Sequence, residues 1–392
     1  MQANHPTRRE ILCAGAVVVA SARLGVAQSP TPGRLTAAVI GDTGRGDYGH
    51  GLDVVFNDVP NVNVVAVADP DEAGRAKAAE RTRAARQYAD YREMLGKEKP
   101  AVVSVAPRWS DRHHAMATAA LAAGAHVIME KPIAPTLAEA DAILALADQN
   151  GRKIAVAHQM RLAPSVVALK RAIDEGLVGD LLQVDGWGKQ DARAGGEDMI
   201  VLGSHLFDLM RYFAGDARGC TARVLHQGRP ITAADARAVT EQIGPVAGDE
   251  ITAQFDFDNG VSGTFTSRAK LREAVGHWGL RFTGSKGSAR ILADIAPWVF
   301  VAKVGSWKDE GRTEQWEPFK PAGLPVAGDT AAANRRVVDD WLDAIEKNRE
   351  PACSGRAAMK SLEMIMAVYH AALGGRRVLL PLEERGHPLG GK

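Results

Sequence analysis

The sequence predicts an α/β protein with a doubly wound parallel sheet at its N-terminal end and a second, hairpin-rich domain after it. With 392 residues the chain is longer than a typical single domain. Residues 35–157 alternate short apolar runs with helical patterns, which is typical of parallel strands joined by crossover helices. Residues 251–268 alternate apolar and polar side chains around Asp258-Asn259-Gly260, which is typical of an antiparallel hairpin.

Five strands are expected in the first domain, because five short runs are dominated by apolar residues, as a sheet covered on both faces requires. A helix is predicted to begin after Thr136, whose hydroxyl forms a capping box with the Glu139 carboxylate, and to continue to about Asp148. The predicted strands are residues 36–40, 62–68, 101–106, 126–129 and 153–157.

The pattern changes after residue 157, where helices and hairpin strands are mixed. Residues 305–328 are rich in Lys, Glu, Gly and Pro without a clean period, which indicates an irregular segment, either a lid or a loop. The predicted helices are residues 164–174, 204–213, 331–347 and 355–373, and the predicted strands are residues 181–187, 251–257, 261–268, 280–283, 289–293 and 298–304.

The first 34 residues are predicted to be a twin-arginine signal peptide and its linker. Arg8 and Arg9 precede a mildly apolar stretch at residues 13–20, and the small residues 25–27 suit cleavage near Gln28. The twin-arginine route exports folded proteins, so the mature protein is expected in the periplasm. A frayed cytoplasmic tail is the alternative interpretation.

The composition argues against several classes of partner. A formal net charge of +1 provides no long-range field that would attract nucleic acid or an anionic membrane surface. Beyond the N-terminal segment, no apolar run approaches the roughly 18–20 residues that span a bilayer. Cys220 and Cys353 are the thiols that remain after signal removal; they are expected to be packing residues, and no metal-ligand spacing is present.

Glycines crowd the turn after the first strand, where a helix is expected to begin. In a dinucleotide-binding fingerprint the first glycine makes the tight turn, the middle one admits the pyrophosphate, and the last allows close helix packing. Gly41 and Gly46 match the outer positions, and Thr43 takes the middle one. Gly44 beside it could supply the missing room and amide donors at the helix N-terminus. A purely structural turn is the alternative.

Asp69 follows the predicted second strand, where a carboxylate accepts hydrogen bonds from the two ribose hydroxyls of NAD and repels the 2′-phosphate of NADP. The sequence therefore favours NAD over NADP, with a solvated surface aspartate as the alternative. Glu130-Lys131-Pro132 lies just past the predicted strand 126–129, at the edge of the sheet where ligands bind. A partly desolvated Lys131 beside a cationic nicotinamide could exchange a proton with a reacting hydroxyl or donate a hydrogen bond to it.

In this order the motifs resemble the glucose-fructose oxidoreductase and inositol dehydrogenase (Gfo/Idh/MocA) family over nearly all of the mature chain. The resemblance implies a Rossmann domain over residues 35–157. It also implies a substrate-binding α/β domain with an open, largely antiparallel sheet over residues 158–385. The matching residues are the glycine turn, Asp69, Pro107, His113, Glu130-Lys131-Pro132, Arg161, the segment Gly203-Ser204-His205-Leu206-Phe207-Asp208 and the segment Arg377-Val378-Leu379-Leu380-Pro381.

The resemblance also implies roles for single residues. Lys131 would contact both the nicotinamide ribose and the substrate, and His205 would be the catalytic acid or base. Without the family pattern, a histidine at a helix start would be interpreted as a packing or capping residue. Asp208 lies on the same helical face and could orient His205 or cap a neighbouring element. The implied cofactor-binding residues are Gly41, Thr43, Gly44, Arg45, Gly46, Asp69, Pro107, His113, Glu130 and Lys131.

One departure from the family pattern concerns the proton path. Family members that oxidise polyols carry an aspartate four positions before the histidine, and here that position is Val201. Either His205 is less basic than in these relatives, or another carboxylate such as Asp198 replaces the missing one, or Lys131 carries the proton alone.

Polar residues at or just past strand ends complete the predicted substrate pocket, each with a surface or packing role as the alternative. Trp187 could stack on a sugar face, although buried aromatic residues are ordinarily part of the core. His113 and its neighbour His114 diverge by about 100° on a helix and have no third ligand, so no metal site is predicted. The predicted substrate residues are His158, Arg161, Trp187, Lys189 and Asp208.

The sequence therefore predicts hydride transfer between NAD and a sugar, polyol or sugar derivative. An exported enzyme has no plentiful free nucleotide pool, so the cofactor is expected to be tightly bound. One alternative is a glycoside hydrolase or lyase in which bound NAD oxidises the substrate only transiently. Another is a catalytically silent sugar-binding or assembly protein. A homodimer or homotetramer is expected, because an exposed sheet face usually needs covering.

Overall fold

The computed structural model describes residues 34–239, 241–269, 271, 277–303 and 315–390. Nearly all of the predicted twin-arginine signal, residues 1–33, lies outside these described residues, as do the last residue of the predicted strand 298–304 and residues 305–314 of the predicted irregular segment. In the described part of the chain, no helix has the length and apolar character needed to cross a bilayer.

The first sheet has six parallel strands in the order β3-β2-β1-β4-β5-β6. The five predicted strands are confirmed, with ends that differ by no more than one residue. β3 was not predicted, because it is only three residues long, polar and largely exposed. The strands are β1 (Leu35–Ile40), β2 (Val62–Ala68), β3 (Arg86–Tyr88), β4 (Val102–Val105), β5 (His126–Met129) and β6 (Ile154–Val156).

Four helices in the described residues accompany this sheet. The Asp71 side chain accepts a hydrogen bond from the Gly74 amide (2.6 Å) and so caps the first of them. Thr136 caps the last by accepting from the Glu139 amide (3.2 Å), which confirms the predicted start of that helix. The helices are α1 (Glu72–Thr82), α2 (Tyr91–Glu98), α3 (His113–Ala122) and α4 (Leu137–Gln149).

The connection between β1 and β2 contains no α-helix, so the helix predicted after the glycine turn is wrong. Residues 42–60 form a series of turns instead. The backbones of Asp42 and Asp47 pair with each other, at N···O distances of 3.2 and 3.1 Å. The physical reason is the backbone conformation, since repeated left-handed residues interrupt a right-handed helix. The glycines with positive φ in this segment are Gly44, Gly46, Gly49 and Gly51.

The second sheet is mixed and mostly antiparallel, which confirms the expected open sheet. Its order in the described residues is β15-β14-β13-β12-β7-β11-β10-β8-β16, with β9 paired to β8, and only the β7–β11 pair is parallel. The strands are β7 (Leu181–Trp187), β8 (Ala217–His226), β9 (Arg229–Pro230), β10 (Glu250–Phe257), β11 (Ser262–Arg268), β12 (Gly279–Gly284), β13 (Gly287–Leu292), β14 (Trp298–Lys303), β15 (Glu317–Pro318) and β16 (Val378–Leu379).

Three helices of the second half contact this sheet and contribute to its core. Phe207 lies against Phe255 and Phe265, with ring centroids 5.6 and 4.8 Å away. The four predicted helices are confirmed to within one residue at each end. The helices are α5 (Pro164–Asp174), α6 (Gly196–Val201), α7 (Gly203–Ala214), α8 (Thr330–Glu346) and α9 (Gly355–Gly374).

Helix α8 packs on the first sheet, although it follows the second sheet in the sequence. Trp341 is fully buried, and its indole nitrogen donates to the Lys153 carbonyl (3.2 Å). The amide of Val156 donates to the Cys353 carbonyl (2.8 Å), which ties the segment after α8 to β6. A helix from the C-terminal part of the sequence therefore belongs to the core of the first sheet. Cys353 and Cys220 are buried free thiols, as the sequence predicts.

Gly41 is required by the close approach of Tyr48, because a Cβ at residue 41 would lie 2.2 Å from Tyr48 Cε1. We expect Gly41→Ala to lower the free energy of unfolding by about 1–3 kcal/mol, the usual cost of overpacking. The control is Gly96→Ala in α2, where no atom lies within 4 Å of the added Cβ. Alanine should stabilise that helix by about 0.5–1 kcal/mol. Denaturant unfolding measures both; a Gly41→Ala variant as stable as the parent would refute the packing of Tyr48.

Candidate active site

A cleft of about 170 Å³ opens where β1 and β2 end, on the side that includes Gly41 and Asp69. The strand order reverses between β1 and β4, and the crevice at such a reversal is where open parallel sheets bind ligands. Tyr91, Arg92 and Arg112 line the same cleft. The predicted glycine turn and Asp69 are therefore brought together at the expected edge of the sheet.

Asp69 is fully buried, and its carboxylate holds the glycine turn. It accepts hydrogen bonds from the Thr43 hydroxyl (2.7 Å), the Thr43 amide (3.1 Å) and the Asp71 amide (2.9 Å). At the position where the fingerprint has a glycine, Thr43 thus binds the Asp69 carboxylate through its amide and its hydroxyl. Ribose hydroxyls in this cleft would have to share the Asp69 carboxylate with Thr43.

Asp42 and Arg112 form an ion pair beside the turn, which was not predicted because Asp42 is at a variable position of the fingerprint and Arg112 belongs to no motif. Arg112 Nη1 lies 2.8 Å from Asp42 Oδ2, and the Asp42 side chain is buried. Burial raises the pKa of Asp42, although the charges of Arg112 and Arg45 oppose this rise. Arg45 itself pairs with Asp111. Two arginine side chains therefore flank the glycine turn.

Glu130 links the chain segment between β1 and β2 to the end of β5. Its buried carboxylate accepts from the His50 amide (3.0 Å), lies 2.7 Å from His50 Nδ1 and accepts from the Lys131 amide (3.1 Å). Burial alone would raise the pKa of Glu130, but the bonds to His50 and the charge of Lys131 outweigh it and lower that pKa to about 2. Glu130 is therefore a charged anchor, and His50 is its partner that sequence reasoning did not identify.

His113 joins the loops after β4 and β5. The ring is fully buried, with Nδ1 2.8 Å from the Pro132 carbonyl and Nε2 2.7 Å from the Pro107 carbonyl. Burial lowers the pKa of His113, although both carbonyls favour the protonated ring. With both ring nitrogens occupied, His113 holds these loops in place. A cofactor-binding role for His113 and Pro107 stays a prediction.

Lys131 and His205 lie close together in the interior. Lys131 is only 6% exposed, and its ammonium donates to the Val201 carbonyl (3.2 Å). The peptide oxygen of Val201 thus contacts the lysine, at the position where the family resemblance leads us to expect an aspartate side chain. His205 Nδ1 is buried without a hydrogen-bond partner. Burial lowers the pKa of His205 well below its usual value, and the nearby charge of Lys131 lowers it further.

Asp208, Arg161 and His158 form a buried charged cluster next to His205. Arg161 binds both carboxylate oxygens of Asp208, at 2.9 and 2.7 Å, and His158 Nδ1 lies 3.5 Å from Asp208 Oδ1. Burial would raise the pKa of Asp208, but the charge of Arg161 and the contact with His158 hold it well below its usual range. The rings of His158 and His205 meet edge to face, with centroids 5.5 Å apart.

Asp198 does not replace the missing aspartate, so this part of the sequence analysis is wrong. Its carboxylate accepts from the amides of Lys189 and Gln190 (3.0 Å each) and from the Ser267 hydroxyl (2.6 Å). These bonds use both oxygens to fix the backbone after β7. Burial raises the pKa of Asp198, although the bond from Ser267 opposes the rise.

Trp187 and Lys189 lie at the end of β7, where each contacts another residue of the protein. The Trp187 indole donates to the His277 carbonyl, and the Lys189 ammonium lies 3.8 Å from an Asp191 carboxylate oxygen. Besides His158, the indole ring of Trp278 lies beside His205, at a centroid distance of 6.4 Å. Trp278 belongs to none of the motifs that predicted the site. A direct substrate role for Trp187 and Lys189 stays a prediction.

Two family models match this chain. An oxidoreductase family with an NAD-binding Rossmann fold matches residues 35–158, and the C-terminal α/β domain of the oxidoreductase family matches residues 172–380. Together they cover well over half of the sequence. The chain belongs to the Gfo/Idh/MocA oxidoreductase family. The resemblance drawn from the motifs is thereby confirmed, and the N-terminal domain is an NAD-binding Rossmann domain.

Individual Gfo/Idh/MocA members and solved structures are also similar to this chain. A D-apiose dehydrogenase from Paraburkholderia graminis is 26% identical over 348 residues, which is 85% of this chain and 87% of the relative. An inositol 2-dehydrogenase from Saccharopolyspora erythraea is 41% identical over 125 residues, 31% of this chain and 36% of the relative. A structure of levoglucosan dehydrogenase with NADH and levoglucosan has a TM-score of 0.71 at 22% identity, covering 89% of this chain and 100% of the other, and shows the shared fold.

The residues of this family member fit a dinucleotide, with two differences from a standard Rossmann turn: Thr43 takes the middle glycine position, and no helix begins after the turn. Gly44 has a φ of +81°, and no atom lies within 4 Å of the position of a Cβ there, so the backbone is open to a ligand. The amides of Thr43, Gly44 and Arg45 donate within the protein, to Asp69, Asp47 and Asp42. Without a helix N-terminus, the pyrophosphate charge would be compensated by Arg45 and Arg112 instead.

Proposed function

We propose that this protein is an NAD-dependent oxidoreductase that transfers a hydride to or from a sugar, polyol or sugar derivative. The observation that carries the proposal is the position of Lys131, buried beside His205 past the end of β5 and near the nucleotide-binding edge of the sheet. Family relatives named as dehydrogenases of D-apiose, levoglucosan and inositol support this substrate class.

Bound NAD would supply the acceptor or donor of the hydride. Asp69 and the glycine turn would hold the adenosine end. The Asp69 carboxylate disfavours a 2′-phosphate, so NAD is proposed over NADP. Arg45 and Arg112 would compensate the pyrophosphate charge. The pyrophosphate would compete for these two cations with their present partners, Asp111 and Asp42. We propose that the nucleotide is retained tightly in the periplasm after export by the twin-arginine route.

The interior groups suit a hydroxyl-bearing carbon. The Lys131 ammonium can donate to the reacting oxygen, where it would stabilise negative charge as a carbonyl forms or is reduced. His205 is held neutral by burial and by the charge of Lys131, so it can donate or accept one further hydrogen bond. Trp278 offers an apolar ring beside these polar groups, a combination that suits the apolar face of a sugar.

A nucleotide assay followed by a sugar screen tests this proposal. Freshly purified protein is inspected by ultraviolet absorbance and mass spectrometry for retained nicotinamide nucleotide. It is then assayed for NADH formation with D-apiose, levoglucosan, myo-inositol and L-sorbose. Retained or readily bound NAD and NADH formation with at least one sugar are expected. Glycoside cleavage without net NADH would instead favour the hydrolase or lyase, and absence of both nucleotide binding and turnover would refute the oxidoreductase. Gel filtration with light scattering tests the proposed homodimer or homotetramer.

A further inference from the structure

His158 presents a buried ring nitrogen that has no partner in the described structure. The side chain is 3% exposed; Nδ1 faces Asp208, and Nε2 has no hydrogen-bond partner. The adjoining ring of His205 also has an unpaired buried nitrogen, Nδ1. Buried polar atoms normally have hydrogen-bond partners, so two orphans on neighbouring rings indicate a place where a polar ligand completes the bonding. A substrate hydroxyl is a group that can both donate and accept there.

The surroundings of His158 orient its ring. Arg161 holds the Asp208 carboxylate through two bonds, and Arg161 also donates to the Asp208 carbonyl (3.0 Å). The Cys353 thiol donates to the His158 carbonyl (3.4 Å), which fixes the backbone. A carboxylate facing Nδ1 favours the tautomer with the proton on Nδ1, and this tautomer leaves Nε2 as a proton acceptor.

The two adjoining imidazoles differ in their suitability as a base. Position 201 supplies a peptide oxygen to Lys131 rather than a carboxylate to His205. Of the two rings, His158 is the one in direct contact with a carboxylate. Asp208 and His205 face the His158 ring directly. Beyond them, Arg161 pairs with Asp208, the charge of Lys131 acts on His205, and the Cys353 thiol donates to the His158 carbonyl.

We propose that His158, oriented by Asp208, takes the hydroxyl proton when the substrate is oxidised. This inference rests on the proposed function. The O–H bond breaks and its proton moves to His158 Nε2. The C–H bond of the same carbon breaks, and bound NAD would accept the hydride, so that a carbonyl forms and two electrons leave the substrate. In the direction of reduction each transfer is reversed. His205 and Lys131 then hydrogen-bond the reacting oxygen, and Asp208 is a positioning residue.

The first test is the pH profile of His158→Gln, which keeps a polar side chain of similar size but cannot take a proton. With the sugar selected in the screen, we expect kcat/KM to fall about 10²–10⁴-fold, the usual contribution of a general base. In the parent, kcat/KM for oxidation should decrease at low pH as the base becomes protonated, and this acid limb should be missing in His158→Gln. Added imidazole should partly restore His158→Ala.

The matched control is His226→Gln, because His226 also faces an aspartate, Asp249 at 3.8 Å, but lies half-buried at the end of β8. It should retain the activity and the pH profile of the parent. An unchanged acid limb in His158→Gln, or an acid limb that disappears only in His205→Gln, would overturn the inference.

A second test does not depend on turnover. Nuclear magnetic resonance of protein with ¹⁵N-labelled histidine reports which ring nitrogen carries the proton, and His158→Gln identifies the signals. We expect the His158 proton on Nδ1 with Nε2 bare, and a loss of this preference in Asp208→Asn. If no sugar is oxidised, the proposed function fails while this measurement still decides the orientation. A His158 ring protonated on Nε2 at neutral pH would overturn the inference.

Discussion

Replacing Lys131 with alanine is expected to lower kcat by about 10³-fold or more, because it removes the cation that stabilises the reacting oxygen in a site shielded from water. Lys131 is only 6% exposed, so solvent cannot readily substitute for its ammonium group. The nucleotide itself should still bind, since Asp69 and the glycine turn are unchanged. The measurement is NADH formation under saturating substrate, with nucleotide binding followed separately by NADH fluorescence.

The control for this variant is Lys97→Ala, which removes an exposed lysine on the surface of α2. Its kcat should equal that of the parent. Full activity in Lys131→Ala, with Lys97→Ala behaving normally, would show that Lys131 is not in contact with the reacting atoms.

Breaking the Arg161–Asp208 pair is expected to produce the largest loss of stability. Asp208→Asn leaves the Arg161 guanidinium buried without a charged partner, which typically costs about 3–5 kcal/mol. The pKa of Asp208 is held well below its usual range in the fold. The stabilisation is therefore fully present above the unfolded-state pKa of about 3.9 and is lost as the pH falls below it.

Thermal unfolding at several pH values measures this effect. The difference between Asp208→Asn and the parent should be large near neutral pH and should shrink in strong acid. Glu175→Gln is the control, because Glu175 pairs with Arg171 on the exposed surface of α5, where an ion pair contributes at most about 0.5 kcal/mol. A loss in Asp208→Asn as small as that in Glu175→Gln would contradict the buried cluster.

The elements that could be predicted from sequence are those with a strong apolar period. The strands β1, β2, β4, β5 and β6 and the helices α4, α5, α7, α8 and α9 were found because burial of their side chains leaves a regular pattern. β8 was missed because its sequence, ARGCTARVLH, mixes arginines with apolar residues without clean alternation. The prediction of a helix after the glycine turn is wrong because Gly49 and Gly51, which lie outside the fingerprint, also adopt positive φ.

The candidate site was predicted in part for a similar reason. Local motifs identified Lys131, His205 and Asp69, because each lies at a fixed distance from a strand end or a family motif. Contacts between distant segments left no local signal. His50 meets Glu130 across 80 residues, and Arg112 meets Asp42 across 70. Such pairs form only when the chain folds, so the sequence predicts residues of the site but not the residues with which they pair.

The most direct measurement is a crystal structure of the protein with bound NAD. We expect the adenosine in the cleft beside Asp69, the pyrophosphate at Gly44 between Arg45 and Arg112, and the nicotinamide ring next to the Lys131 ammonium. A nucleotide bound elsewhere, or an empty cleft at saturating NAD with Lys131 still donating to the Val201 carbonyl, would contradict this placement.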